Sequence, residues 1–525
     1  MKKILNQKTL PWIVLFSLAV FVRFYNFENF LFFINDQGRD ALKIQSIVNG
    51  DLTLIGPTSG LGGFFLGPLW FYLGVPGYII SHGSPYGISL WYIFIASLAL
   101  PFFWLLSKRL FPKKESWQLL SFSLLAFLPG SINGATFVWN PLLSLPLMAA
   151  ALFFLYKARF SRLFLALAFL LLGFVLHSEF AYAIFLLPVF YLLIFWIRKK
   201  FSIIDYLIAG FAILITLVPQ IIFELKNDFL MSKAMIENFT SGEGSVRLSY
   251  VFEKRPAQLF AATRELLFSR SSVTDIFTIL AIGIIIYGIY RVWKTKKYEW
   301  QIIALVTILP YLGYMFWKGN YGHFFSYYMT PHFIPLILMF TYGLFEINQH
   351  APELLKKLSF IIVIVLFTFS YTNIHNLMTN TNNEAGLKSI DLAVQTTLGY
   401  FNGDRLYLLN TTPDPISSTV LTFTPNYLTA QYDFTMEWRA KKNSMPIPNT
   451  QVQIEDDIVY VIMEPDREIP EKRFIPWYQR VTEGRVRIRK EKIGILILET
   501  WMKPELATIN NLPIYQKTII EQMCW

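Results

Sequence analysis

The chain has 525 residues, of which 54% are hydrophobic, 17% aromatic and only 15% charged, where a soluble chain of this length carries about 25% charged residues. That shortfall excludes disordered, coiled-coil and ordinary cytosolic proteins, and apolar runs long enough to cross about 30 Å of hydrocarbon recur from Pro11 to Met378. The net charge of +11 lies mostly in short clusters between those runs, so it reads as membrane topology and not as nucleic-acid binding, while Cys524, the only cysteine, excludes internal disulfides and Cys-based metal sites.

Lys2, Lys3 and Lys8 precede the first apolar run, Pro11–Phe27, and no small-residue cleavage site follows it, which predicts an uncleaved first transmembrane helix. Basic clusters at Lys108–Lys114, Lys157–Arg162, Arg198–Lys200, Arg291–Lys297 and Lys356/Lys357 mark cytoplasmic connections. This assignment holds only if one of the two runs Phe64–Ser81 and Tyr86–Ser107 fails to cross. Phe64–Ser81, broken by Gly67-Pro68, Gly74 and Pro76-Gly77, is the one predicted to be interfacial or re-entrant. The result is a polytopic α-helical membrane protein of about eleven spans, near 9–27, 86–107, 117–131, 140–156, 162–177, 180–197, 203–222, 274–292, 300–317, 326–346 and 357–376. The N-terminus lies inside, with long outward loops at 28–85 and 223–274.

After Met378 the composition changes. A membrane domain, 1–377, is followed by a small extracytoplasmic α/β domain, 378–525. An amphipathic helix is expected over Glu384–Tyr400, with strands at Arg405–Leu409, Ile458–Met463, Arg485–Ile488 and Ile493–Leu498. No internal repeat is visible, which weighs against a transporter built from duplicated halves.

The bilayer cores carry almost no ionisable groups: Asp205, Asp275 and Glu346 fall near helix ends, and His332 lies only a little inside the tenth helix. Polar candidates gather at the outer ends instead. Most informative is Asn35-Asp36-Gln37-Gly38-Arg39-Asp40, leading into a short helix over Ala41–Asn49 that Gly50 closes. Asp36 reads either as the N-cap of that helix or as a general base, and capping does not preclude catalysis. Asp36 and Asp40 share one face if the helix begins early, with Arg39 between them. The glycines of Gly56–Gly60 and Gly67 lack the Gly-Lys-Ser/Thr of a nucleotide loop.

A first helix, an outward loop bearing an Asp, a Gly/Pro-broken juxtamembrane segment and a second long outward loop after the seventh helix together resemble the glycosyltransferase C superfamily. The similarity is to its protein O-mannosyltransferase and aminoarabinose-transferase-like branch, over roughly residues 8–376. The resemblance implies a polyprenyl-phosphate sugar donor and Asp36 as catalytic base. Where that family opens the loop with Asp-Glu, this chain has Asp36-Gln37, so no role carries over for the second carboxylate. Phe137-Val138-Trp139-Asn140-Pro141 stands where the family often has an acidic or polar residue. His177-Ser178-Glu179 replaces a Thr-Lys-Gly turn whose Lys contacts lipid phosphate, leaving His177 as a substitute or as a structural histidine. Glu224-Leu225-Lys226 is similar to a stretch of related bacterial transferases and reads equally as an interfacial anchor. Lys226, Lys233, Arg247, Lys254, Arg255, Arg264 and Arg270 make the second loop a clamp for phosphate or sugar, or a solvated face. Lys318 to His323, with Tyr327-Tyr328, resembles the family's basic and aromatic entry to its penultimate helices. Interfacial tyrosines are usually belt residues. Glu455-Asp456-Asp457 reads as a strand edge, not as a metal motif.

The sequence therefore predicts a multi-pass enzyme of a bacterial-type plasma membrane. It moves a monosaccharide from a polyprenyl-phosphate carrier to an extracytoplasmic glycan, lipid or protein. Asp36 is the base, Asp40, Arg39, Asn140, Glu179, Glu224 and Tyr327 contact substrate, and His177, Arg264, Lys318 or His323 stabilise the leaving phosphate. No ligand cluster supports a divalent metal at Asp36, and that question stays open. The rivals are a flippase for lipid-linked sugars, which needs a polar path through the helices, and a non-catalytic envelope scaffold.

Overall fold

The computed structural model describes residues 10–60, 63–198, 202–240, 246–268, 273–318, 322–380, 386–411, 416–451 and 456–509. Among them, eight helices are long and apolar enough to span a bilayer: Pro85–Leu110, Asn140–Lys157, Phe180–Arg198, Ile203–Lys226, Thr274–Thr295, Tyr298–Phe316, Ser326–His350 and Glu353–Thr379. Glu115–Phe127 and Pro129–Thr136, bent by 50° at their junction, add a ninth if they form one span. The remaining two of the eleven expected spans are apolar but short, Leu10–Phe24 at 15 residues and Arg162–Ser178 at 17. The chain is a multi-pass membrane protein.

Leu69–Ile80, within the run expected not to cross, is a 12-residue helix. At about 1.5 Å per residue it is roughly 18 Å long, well short of the hydrocarbon thickness. Its Trp70 ring stacks on Tyr92 with centroids 3.8 Å apart, and the Tyr92 hydroxyl donates to the Trp70 carbonyl at 2.6 Å.

The chain divides into two compact units. The first comprises 1–25, 50–75 and 90–379, and the second 26–49, 76–89 and 380–525. In the first, an apolar core runs through helices Ala99–Leu110, Ser144–Lys157, Arg162–Ser178 and Phe333–His350, with Phe103, Leu152, Phe169 and Ile337 fully buried. The acids near helix ends have plain structural work. Asp205 accepts from Arg162 at 2.9 Å and Arg198 at 3.0 Å, and buried Glu346 accepts from Arg291 at 2.8 Å and Lys297 at 2.7 Å. Arg23, buried at the end of the first helix, donates to the Ala126 carbonyl at 3.0 Å and the Ser131 hydroxyl at 3.3 Å. It thereby occupies a carbonyl at the break that Pro129 imposes on its helix.

The second unit is built on a four-stranded mixed sheet of order β1-β2-β4-β3: β1 Ser418–Phe423, β2 Ile458–Met463, β3 Val486–Ile493 and β4 Leu496–Met502. β1 and β2 are parallel, the other pairs antiparallel, and all six residues of β2 are buried, as its unbroken apolar sequence requires. Two sequence expectations need correction. Arg405–Leu409 is not a strand but the end of the helix Leu387–Thr411. Ile493–Leu498 straddles the β3–β4 hairpin turn, where Gly494 takes a φ of 58°. Strand β1 is an element that the sequence reading missed.

This unit also contains the segment that carries Asp36. The helix Asn35–Val48 packs on Ala430–Lys442, and a Cβ on Gly38 would lie 2.2 Å from the Gln431 backbone nitrogen. Only glycine permits that approach. The Leu387 amide donates to the Leu31 carbonyl at 3.0 Å, and Phe33 packs on Phe434.

Candidate active site

In the second unit the helix bearing Asp36 begins at Asn35, six residues earlier than expected. Ile34, in extended conformation, is the cap position, and the Gln37 side-chain carbonyl accepts the Ile34 amide at 3.1 Å. The residue standing where the related enzymes have Glu is thus used to close the helix start. Asp36 is therefore not the N-cap; it lies in the first turn, one third exposed. The early start does place Asp36 and Asp40 one turn apart. Arg39 joins them, donating to Asp36 Oδ1 at 3.0 Å and to Asp40 Oδ1 at 2.9 and 2.7 Å, with Asp40 buried. Gly50, with a φ of 101°, follows the helix end as expected. A helix N-terminus favours an ionised carboxylate in its first turn, the form a general base needs, and Asp36 is partly exposed there.

In the first unit most predicted substrate contacts are already engaged. Asn140 is buried and donates to the Ser178 carbonyl at 2.8 Å, tying two helix ends together. His177 is buried with its ring against Gly67, where a Cβ would come within 2.2 Å. The glycine of Gly67-Pro68 makes room for the imidazole, and the ring is covered. Glu179, buried between two helices, accepts from the Ala181 amide, and burial pushes its carboxyl well above the usual range. The Glu224 carboxylate accepts from the Met231 and Ser232 amides at 2.8 and 2.9 Å, capping the helix Leu230–Thr240. Arg264 is paired with Asp275 at 2.7 Å. Lys318 and His323 are exposed, and Tyr327 packs edge-on against Trp139 with centroids 4.6 Å apart. Arg270, Glu455 and the turn 319–321 lie outside the described residues.

The residue that sequence reasoning left undistinguished is Arg255. It is fully buried on the helix Leu248–Leu267, donating to the Trp317 carbonyl at 2.9 Å with its guanidinium 5.0 Å from the Phe324 ring. Among the described residues its Nε and Nη1 have no partner, and burial lowers its pKa. A buried guanidinium with no carboxylate and two idle donors among the described residues is suited to seat an anion. Next to it on the same helix, Pro256, Leu259, Phe260 and Thr263 line an apolar cavity of about 380 Å³ with Tyr311 and Leu312. Thr263 and Tyr311 bond each other at 2.7 Å, so little free polarity faces the cavity from them. Only the pairing of an arginine with a proline hinted at this residue; seven cations of one loop look alike in sequence. Among the described residues no group of three His, Cys, Asp or Glu side chains is placed to hold a metal ion.

Two solved structures are similar in fold: ArnT from Cupriavidus metallidurans, in the apo state and bound to undecaprenyl phosphate. The apo structure is 12% identical with a TM-score of 0.54, covering 93% of this chain and 97% of ArnT. The complex is 13% identical with a TM-score of 0.57, covering 93% and 98%. No family model and no curated protein matches the sequence. The likeness to ArnT is therefore one of fold.

Proposed function

We propose that this protein is a membrane glycosyltransferase that moves a monosaccharide from a polyprenyl-phosphate carrier to an acceptor hydroxyl outside the cytoplasm. The observation that carries the donor class is the helix Leu248–Leu267: it bears Arg255, with two donors unpartnered among the described residues, and its Pro256, Leu259, Phe260 and Thr263 line an apolar trough. A phosphate on a long hydrocarbon chain satisfies both, whereas a free nucleotide sugar leaves the trough empty. The fold of ArnT, one of whose structures holds undecaprenyl phosphate, supports the same reading. In this reaction Asp36 takes the proton of the acceptor hydroxyl as that oxygen attacks the anomeric carbon. The bond to the carrier phosphate breaks as the new glycosidic bond forms, and the phosphate leaves on its carrier. Arg39 and Asp40 hold Asp36 in place. The basic clusters put the N-terminus in the cytoplasm and the C-terminal domain outside.

A flippase is the weaker reading, because Asp205 and Glu346 are consumed in ion pairs at helix ends. The test is transfer from radiolabelled polyprenyl-phosphate hexoses by the purified protein to added cell-envelope glycan, lipid and protein fractions. Label that crosses vesicle bilayers without ever joining an acceptor would overturn the reading in favour of transport.

A further inference from the structure

The second unit contains a cavity of about 510 Å³ whose walls include Gln45, Tyr78, His82, Glu437, Trp438 and Lys442. That volume is in the range of small-molecule sites. It is separate from the Asp36 carboxylate. Gln45 follows Asp36 by nine residues on one helix, which sets it about 13 Å further along the axis and half a turn round. The Gln45 amide donates to Glu437 Oε1 at 2.6 Å, and Lys441 pairs with the same oxygen. Gln45 Oε1, the other Glu437 oxygen, the Tyr78 hydroxyl and the His82 ring are left without hydrogen-bond partners among the described residues. Lys442 reaches only the Trp438 ring, at 5.2 Å.

We propose that this cavity binds a saccharide unit of the acceptor, so that the acceptor is a glycan. The reason is the mixture of groups. An anion site gathers donors and excludes a carboxylate, yet here a carboxylate and an amide oxygen face the same space as an ammonium and an imidazole. An apolar ligand would strand all of them. A sugar hydroxyl both donates and accepts, so one pyranose satisfies donors and acceptors together while its C–H face lies on the walls of Trp438 and Tyr78. The distance from Asp36 means that the bound sugar is not the one glycosylated; the cavity holds a more remote unit of an oligosaccharide. Naming that sugar as part of the acceptor rests on the transferase reading, whereas the binding itself does not.

The experiment uses the full chain in detergent, titrated with lactose, maltose, chitobiose and cellobiose and, separately, with inorganic phosphate, followed by saturation-transfer NMR. At least one disaccharide should bind saturably. Glu437→Gln and Trp438→Leu should each weaken it by about tenfold or more, as expected for the loss of a central contact. Exposed Lys442→Ala, which leaves the fold untouched, should weaken it a few-fold, and Asp36→Asn should leave it unchanged. Absence of binding by all four sugars overturns the proposal. So does displacement of the sugar by phosphate at equal concentration, or binding that survives all three cavity variants. If sugar binds but no transfer occurs with any donor, the transferase reading fails and the cavity assignment stands.

Discussion

On the helix Asn35–Val48 the Arg39 guanidinium is shared between two carboxylates. On the helix Leu248–Leu267 the Arg255 guanidinium meets carbonyl oxygen and an aromatic face but, among the described residues, no acid. The first patch is complete without a ligand. Its arginine is spent on orienting Asp36 and Asp40, and Asp36 is the carboxylate exposed to solvent. The second patch is incomplete: a buried cation without a counter-charge is costly, and a ligand phosphate would relieve that cost. The contrast fits the roles proposed above, proton acceptor for one region and anion holder for the other, on chemistry that each patch shows by itself.

The largest effect that could break this contrast is at Asp36. Asp36→Asn keeps the shape but cannot accept a proton, so transfer should fall by about 10²–10⁴-fold while donor binding is kept. Asp40→Asn, in the buried partner of Arg39, should be milder; equal losses would mean that the two carboxylates act as one site. Arg255→Gln comes next, with transfer falling about 10²-fold, in the range seen when one transition-state donor is removed. Arg255→Lys should recover part of this, since an ammonium keeps the charge but not the planar fork. A binding readout separates the two regions: undecaprenyl phosphate should raise the thermal midpoint of the wild type and of Asp36→Asn, but not that of Arg255→Gln. A midpoint raised equally in all three would show that Arg255 does not hold the phosphate.

Smaller effects test the scaffolding. Gly38→Ala puts a methyl group against the Gln431 backbone, which cannot swing aside as a side chain can. It should cost about 1–3 kcal/mol or more in unfolding measurements. It should also lower transfer by displacing the helix that carries Asp36, with no change in donor binding. The smallest effect is at Asp457. Burial alone would raise its pKa, but bonds from Lys503 at 2.9 Å and from the Ser417 amide and hydroxyl prevail and hold it below the usual carboxylate range. A folded pKa below the unfolded one gives stability that is present above about pH 4 and lost as pH falls through the folded value. Asp457→Asn should therefore lower the thermal midpoint at pH 7, and that difference should shrink on acidification. A gap that persists at low pH would mean that the loss is steric.

Much of the first patch was legible because its contacts are local. Asp36, Arg39 and Asp40 lie within five residues, and helical spacing alone makes them neighbours. What the sequence could not convey was where that helix starts, since the cap is an Ile backbone served by Gln37 and no Ser, Thr, Asn or Asp occupies the usual position. His177, Glu179, Glu224 and Arg264 looked equally available in sequence. Glu179, Glu224 and Arg264 are each engaged by a helix amide or an acid, and the His177 ring is covered by Gly67, approaches that depend on folding. The strand expected at Arg405–Leu409 failed for a related reason. Its Leu and Tyr content suits a strand, but the helix already running from Leu387 continues through it, and context outweighs propensity over so short a run.

By itself the sequence determined that this is a multi-pass membrane protein with a mixed α/β tail. Hydrophobic length, charge between runs and strand alternation are properties of contiguous residues, and transfer free energy acts on them before any tertiary contact forms. Only the tertiary structure decided which charges are satisfied. It also decided that the Asp36 helix belongs to the unit of the tail, and that Arg255 is fully buried with two donors unpartnered among the described residues. Those outcomes depend on residues distant in the chain: a guanidinium's worth is set by what surrounds it, and its surroundings are assembled only when the chain folds.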